Sequence, residues 1–165
     1  MMRVLVVMGS DSDLAQMTPA WVVLQGLGIE YEVRVASAHR SPDRLVKIAE
    51  EARERGFGVV LAGAGGAAHL AGVIAAHTTL PVVAVPIAVG TLGGVDALLS
   101  AVQMPGGVPI ASVGIGGARN AGLFAAAIIS SSDPEVAARL QKFRTDQVDG
   151  VVAADKRVQD KLTGA

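Results

Sequence analysis

The chain has 165 residues, of which 51% are hydrophobic and 3% aromatic, with 14 basic and 15 acidic side chains and a formal net charge of −1. This length fits one domain with its own core, and the balanced charge and scarce aromatic rings argue against a nucleic-acid-binding protein. Because the chain has no cysteine and no long uninterrupted apolar run, we expect no disulfide, no thiolate chemistry and no membrane span, and a cytoplasmic location.

Short β-branched runs alternate along the chain with longer helical patterns. The runs predict five strands at residues 4–8, 31–35, 58–62, 81–85 and 109–113. The segments between them predict helices at residues 11–25, from Ser41 onward, from Gly65 or Gly66 to His77, at 94–102 and at 118–131, with Ser41 as an N-cap and Pro42 in the first turn. We therefore predict an α/β three-layer sandwich with a parallel, flavodoxin-like five-stranded sheet in the order 2-1-3-4-5.

The C-terminal segment predicts one further helix. The sequence Ser132-Asp133-Pro134-Glu135 is a strong helix start, and apolar side chains then recur at roughly helical spacing among charged ones. We predict an amphipathic helix over residues 133–160 within a single domain of residues 1–165. Its apolar face either docks on another subunit or packs on its own domain.

Three segments that could carry chemistry follow the first three predicted strands. The first, residues 8–13, is Met-Gly-Ser-Asp-Ser-Asp and opens a helix, whose free N–H groups suit an anion. Gly9 permits close approach of a ligand, and the hydroxyls of Ser10 and Ser12 can donate hydrogen bonds. The Asp13 carboxylate can accept hydrogen bonds from ribose hydroxyls. Simple capping of the helix by serine and aspartate is the alternative.

The second segment, Ser37-Ala38-His39-Arg40, places an imidazole beside a guanidinium. Histidine can give and take a proton near neutral pH, and arginine presents a planar, permanently charged fork to phosphate. A single histidine after a strand is more often structural, but its close neighbours Ser37 and Arg40 favour an acid/base beside an anion anchor. An enzyme that acts on a phosphorylated metabolite needs that combination.

The third segment, residues 63–70, is Gly-Ala-Gly-Gly-Ala-Ala-His-Leu. Its small side chains leave backbone amides open to a flat base or a carboxylate, although such a run can also be only a tight turn. Because strand 1 lies between strands 2 and 3 in the predicted order, the three segments should converge on one pocket. The three histidines show no metal-ligand spacing and no Walker motif is present, so we predict no metal site and no ATP site.

The chain resembles the N5-carboxyaminoimidazole ribonucleotide mutase family of purine biosynthesis, in its bacterial-type form. Residues 8–13, 37–42, 63–70 and 102–105 carry the resemblance, which extends from residue 4 to about residue 127. It implies a cofactor-independent isomerase in IMP biosynthesis whose substrate is a small nucleotide. The carboxyl group would leave the exocyclic nitrogen as CO2 and be returned to carbon 4. The resemblance also implies a homo-octamer in which the C-terminal helix contributes to subunit contacts.

The resemblance implies a role for each matching residue. His39 would be the general acid/base, Asp13 would bind the ribose hydroxyls, and Ser10, Ser37 and Arg40 would hold the phosphate. The predicted substrate-binding residues are Gly9, Ser10, Asp11, Asp13, Ser37, Ala38, Arg40, Ala64, Gly65, His69 and Leu70. Ala71 stands where family members usually carry proline, which brings the rigidity of this loop into question.

Two alternatives remain open. A second class in the family carboxylates aminoimidazole ribonucleotide directly with CO2, but its glycine loop typically has a Gly-Arg-Ser-Asn type sequence, whereas residues 63–66 here are Gly-Ala-Gly-Gly. A non-catalytic nucleotide-binding or signalling module on the same fold is the other. A receiver domain would need a phospho-acceptor aspartate at the end of the third strand, where this chain has Ala62 and Gly63.

Overall fold

The computed structural model describes residues 2–164, and a five-stranded parallel sheet forms its centre. The strands are β1 (Arg3–Met8), β2 (Tyr31–Val35), β3 (Phe57–Gly65), β4 (Val82–Ile87) and β5 (Ala111–Ser112). They lie in the order β2-β1-β3-β4-β5, and each neighbouring pair is parallel. The predicted α/β architecture and strand order are therefore confirmed.

Helices cover both faces of this sheet. They are α1 (Leu14–Gly26), α2 (Pro42–Glu51), α3 (Leu70–Ala76), α4 (Val95–Val102), α5 (Ala118–Ser130) and α6 (Pro134–Thr163), and a short 3₁₀ turn (Asp11–Asp13) precedes α1. Among residues 2–164, none of these helices has the length and apolar character needed to cross a membrane.

The central strand β1 shows why its sequence is apolar throughout. Val4 and Val6 are fully buried in the core that α1, α5 and the start of α6 complete, whereas Leu5 and Val7 are buried in the core on the α2 and α3 side. A parallel strand that is covered on both faces has no polar face, so its sequence is continuously hydrophobic rather than alternating.

The structure corrects two local predictions and refines a third. The helix predicted from Gly65 or Gly66 starts only at Leu70, because Gly65 still pairs with Ile87 of β4 and Gly66 turns the chain with a φ of 61°. The fifth strand is two residues long rather than five. Ser41 stands at the N-cap position and Pro42 begins α2, but the Ser41 hydroxyl makes no capping bond and instead donates to the Ser37 carbonyl, 3.2 Å away.

The long C-terminal helix α6 packs on the domain only near its start. Val136 and Leu140 are its buried apolar residues, and Arg139 Nε donates to the Leu27 carbonyl at 2.7 Å. Farther along, Val151 is 70% exposed and Leu162 is 76% exposed. The predicted amphipathic helix is present, and its contact with another subunit stays a prediction.

Candidate active site

The three predicted segments meet at the carboxyl edge of the sheet. They surround a cavity of about 330 Å³, which lies beyond the ends of β1, β2 and β3. All of the predicted site residues line this cavity except Asp11, which is exposed and accepts a hydrogen bond from the Ser10 hydroxyl at 3.2 Å. Strand order alone accounts for this convergence, since β1 lies between β2 and β3.

Sequence reasoning missed two lining residues, Ala68 and Val89, whereas Ser12, a predicted hydrogen-bond donor, does line the cavity. Ala68 lies inside the third of the segments that the sequence singles out. Val89 follows β4, and the signal that could have found it is again strand order, because β4 is the neighbour of β3 in the predicted sheet. The cavity therefore has a fourth wall.

The first segment forms a capping box at the start of the helical region. The Ser10 hydroxyl accepts a hydrogen bond from the Ser12 N–H at 3.3 Å, and Asp13 Oδ2 accepts one from the Ser10 N–H at 3.1 Å. The capping interpretation is thus correct, and the same residues also line the cavity, so the two interpretations are compatible.

Asp13 is the buried charged residue of this region, with 7% of its surface exposed. Burial raises the pKa of its carboxyl above the usual 3.8, although hydrogen bonds from the Ser10 backbone and the Ser12 hydroxyl oppose the shift. The carboxylate oxygens of Asp13 can still accept hydrogen bonds from a ligand in the cavity, but burying their charge lowers the stability of the fold.

A turn built on Ser37 shapes the second segment. Its hydroxyl accepts hydrogen bonds from the N–H groups of His39 at 3.3 Å and Arg40 at 3.1 Å, which fixes the backbone of both residues. Arg40 Nη2 donates to the Gly9 carbonyl at 3.3 Å and so ties the second segment to the first. The other N–H groups of this exposed guanidinium are suited to a doubly charged anion.

Two histidines join the second segment to the third. His39 Nε2 lies 2.8 Å from His69 Nδ1, and the two ring planes meet at 78°. At this distance one nitrogen donates and the other accepts, so the pair shares one proton across the contact. The arrangement can hold an imidazole in a fixed orientation and pass a proton to or from a ligand in the cavity.

Close packing explains two of the glycines at the end of β3. A Cβ on Gly63 would lie 2.3 Å from Met17 Sδ, and a Cβ on Gly65 would lie 2.4 Å from Val89 Cγ2. Ala68, in the same cavity wall, has a φ of 27°, which is unfavourable for a residue with a side chain. The small residues of this segment therefore serve the packing of the cavity wall as well as access to it.

A larger groove of about 560 Å³ lies between α1, α5 and α6, and its walls include Val22, Val23, Leu27 and Phe143. None of the predicted site residues lines it. The smaller cavity gathers a histidine pair, an exposed guanidinium and a buried carboxylate, so it is the better candidate for chemistry. Residues 2–164 contain no cluster of three or more histidine, aspartate or glutamate side chains placed to hold a metal ion.

Comparison with known proteins finds relatives that match most of this chain. N5-carboxyaminoimidazole ribonucleotide mutase of Thermotoga maritima is 51% identical over 144 residues, which are 87% of this chain and 84% of that protein. The protein of the same name from Mycobacterium tuberculosis strain H37Rv is 51% identical over 162 residues, which are 98% of this chain and 92% of that protein.

A solved structure and a family model agree with these relatives. The crystal structure of Treponema denticola PurE superposes with a TM-score of 0.86 at 27% identity, covering 95% of this chain and 98% of that one. The model of the AIR carboxylase family matches residues 3–149. The chain therefore belongs to the AIR carboxylase family.

Proposed function

We propose that the chain is an N5-carboxyaminoimidazole ribonucleotide mutase, which converts its substrate to 4-carboxy-5-aminoimidazole ribonucleotide in de novo purine biosynthesis. The observation that carries the proposal is the 2.8 Å contact between His39 and His69 in a cavity that also presents Arg40 and Asp13. Relatives with that name are about 51% identical over most of the chain.

The cavity offers a contact for each part of the nucleotide. Arg40 holds the phosphate together with the hydroxyls of Ser37 and Ser10. The Ser37 hydroxyl accepts two backbone hydrogen bonds and keeps an O–H to donate, whereas the Ser10 hydroxyl donates to Asp11 and would turn its O–H to the phosphate. Asp13 accepts hydrogen bonds from the ribose hydroxyls. These two anchors place the base toward the histidine pair and the small residues of the third segment.

The reaction needs one proton delivered and one removed. The bond between the exocyclic nitrogen and the carboxyl carbon breaks, CO2 leaves, and the nitrogen receives a proton. Carbon 4 of the ring then attacks CO2, and the hydrogen on carbon 4 leaves as a proton to restore aromaticity. His39 can perform both transfers, so the enzyme ends each turnover in its starting protonation state.

His69 lines the cavity, where it can contact the substrate, and it also acts on His39. Its Nδ1 lies against Nε2 of His39 and fixes the orientation and the tautomer of that ring. The cavity keeps CO2 beside the ring carbon, so the recombination is effectively intramolecular and proximity supplies much of the rate.

The name of the family model introduces a second candidate, direct carboxylation of aminoimidazole ribonucleotide by CO2. An assay that offers each nucleotide separately, with and without bicarbonate and with and without ATP, separates the two. The mutase converts the carbamate without bicarbonate and without ATP. Turnover of aminoimidazole ribonucleotide that depends on bicarbonate, with no turnover of the carbamate, would replace the mutase by the carboxylase.

We further propose that the enzyme is a cytoplasmic homo-octamer whose subunits meet through α6. The support is the row of exposed apolar side chains on its C-terminal half, Val148, Val151, Val152, Val158 and Leu162, and the absence of cysteine in the chain. The number of subunits rests on the family resemblance.

Light scattering tests this interface. Val152→Asp should give a smaller assembly, whereas Ala153→Asp, on the side of the helix away from the exposed apolar row, should keep the wild-type mass. An unchanged mass in both variants would remove α6 from the interface.

A further inference from the structure

Gln16, in the first turn of α1, holds the chain as it leaves β4. Its amide makes two hydrogen bonds to one residue: Nε2 donates to the Ala88 carbonyl at 3.2 Å, and Oε1 accepts from the Ala88 N–H at 3.1 Å. Gln16 is not itself among the residues that line the cavity. We call this pair of hydrogen bonds the Gln16 clasp.

The clasp replaces a missing strand partner. The ladder between β3 and β4 ends at the pair Gly65 and Ile87, so the backbone of Ala88 has no neighbour in the sheet. A side-chain amide carries a donor and an acceptor side by side, as a peptide group does, and it satisfies both backbone groups of Ala88. The backbone is thereby held in place for one residue beyond the end of β4.

Beyond Ala88 the loop has little else to hold it. Gly90, Gly93 and Gly94 all have positive φ angles, between 58° and 92°. In the described part of the chain, the other hydrogen bonds of residues 88–93 run within the loop or to Val95. The Gln16 clasp is therefore the polar tie between this loop and the body of the domain.

The clasp matters for the cavity because Val89 comes next. Val89 lines the cavity and packs against Gly65, so closely that a Cβ on that glycine would collide with it. Gln16 also stands three residues after Asp13, at the start of the helix that the first segment opens. The clasp thus connects the wall that carries Asp13 to the wall that carries Val89.

We propose that Gln16 is a positioning residue for the reaction: by clasping Ala88 it keeps Val89 closed over the cavity and limits the escape of CO2 before recombination. This inference rests on the proposed function. Without the clasp the loop of residues 88–94 opens more often, and a larger share of turnovers releases aminoimidazole ribonucleotide instead of the carboxylated product.

The test compares Gln16→Met, which keeps the length of the side chain and removes both hydrogen bonds, with Gln25→Met. Gln25 is an exposed glutamine on the same helix and has no side-chain hydrogen bond among the described residues. Amide hydrogen exchange over residues 88–94 and the ratio of aminoimidazole ribonucleotide to carboxylated product are measured for both variants and for the wild type. Gln16→Glu, which retains only the acceptor, serves as an intermediate.

We expect Gln16→Met to raise exchange in this loop and the released share of aminoimidazole ribonucleotide, each by about tenfold, with KM changing less than kcat. Gln16→Glu should fall between Gln16→Met and the wild type, and Gln25→Met should match the wild type. Wild-type exchange in Gln16→Met would overturn the clasp, and raised exchange with an unchanged product ratio would overturn its role in the reaction. A wild type that fails to convert the carbamate would instead overturn the proposed function, and the exchange data would still decide whether the clasp holds the loop.

Discussion

The two ends of the sheet use carboxylates in opposite ways. At the amino end, Glu32 of β2 accepts hydrogen bonds from Arg55 at 2.9 and 2.7 Å and also contacts Arg34, and these partners lower the pKa of its carboxyl below the usual 4.5. At the carboxyl end, Asp13 accepts hydrogen bonds from Ser10 and Ser12 and none from an arginine among the described residues. Burial raises the pKa of its carboxyl, although the charge of nearby Arg40 opposes the shift.

This difference separates stability from function. A carboxyl with a lowered pKa stabilises the fold above its unfolded pKa, whereas one with a raised pKa costs stability once it ionises. The amino edge therefore contributes to folding, whereas the carboxyl edge accepts a cost that fits a binding role for Asp13 beside its part in the capping box. Variants at the two ends should fail in different assays.

The largest expected effect is at His39. We expect His39→Asn to lower kcat by about 10²–10⁴-fold, with the substrate affinity and the melting temperature largely retained. The side chain is exposed, and its loss removes proton transfer and one exposed hydrogen bond to His69. His77→Asn, at an exposed histidine outside the cavity, is the control and should behave as the wild type. Retained turnover in His39→Asn would remove this residue from the chemistry.

Two arginines give the next test. Arg40→Ala should raise KM by about 10–100-fold with a smaller fall in kcat, because a charged contact to phosphate is lost. Its free energy of unfolding should fall by less than that of Arg55→Ala, because the hydrogen bond that Arg40 donates to Gly9 is exposed. Arg55→Ala should do the reverse, lowering the free energy of unfolding by about 1 kcal/mol with KM unchanged. Steady-state kinetics and urea unfolding measure KM and the free energy of unfolding for both variants. An equal loss of stability in the two variants would contradict the proposed difference between the two ends of the sheet.

Asp13→Asn should trade binding for stability. We expect KM to rise about tenfold, while the variant unfolds at a higher urea concentration than the wild type at pH 7, because the amide has no charge to bury and can still accept from the Ser10 N–H. The raised pKa gives the pH dependence: the cost is present above the folded pKa and disappears as the pH falls through it toward 3.8. A variant less stable than the wild type at pH 7 would contradict the cost of burial.

The smallest effect is at Glu32. Glu32→Gln should lower the free energy of unfolding by about 0.5–1 kcal/mol at neutral pH, with kinetics unchanged. Since its folded pKa lies below 4.5, the stabilisation is present above that value and is lost as the pH falls through the folded pKa. Urea unfolding at pH 7 and at successively lower pH should therefore show the two proteins converging in acid; a constant difference would rule out the ionic origin.

Much of the fold follows from the sequence because its signals are local. The apolar run of β1 and the helix start at Pro134 are visible in the residues themselves, and strand order then brings the three segments together. The start of α3 was predicted too early, because the pairing of Gly65 with β4 is a tertiary contact that a glycine run does not reveal.

The candidate site divides along the same line. His39, Arg40 and Asp13 are found by residue type and by their place after a strand. Gln16 and Val89 are not, because their positions depend on a contact between residues 72 places apart in the chain. The Ser41 hydroxyl is a smaller example: the sequence predicts that it caps α2, but it donates to the Ser37 carbonyl instead.

The most direct measurement follows the carboxyl group itself. The carbamate substrate, labelled with ¹³C in its carboxyl group, is converted by the wild type in buffer with unlabelled bicarbonate, and the product is analysed by mass spectrometry. Transfer inside the cavity predicts that most of the product carries the label on the carbon 4 carboxyl. A product that takes its carboxyl group from the unlabelled bicarbonate would contradict the account.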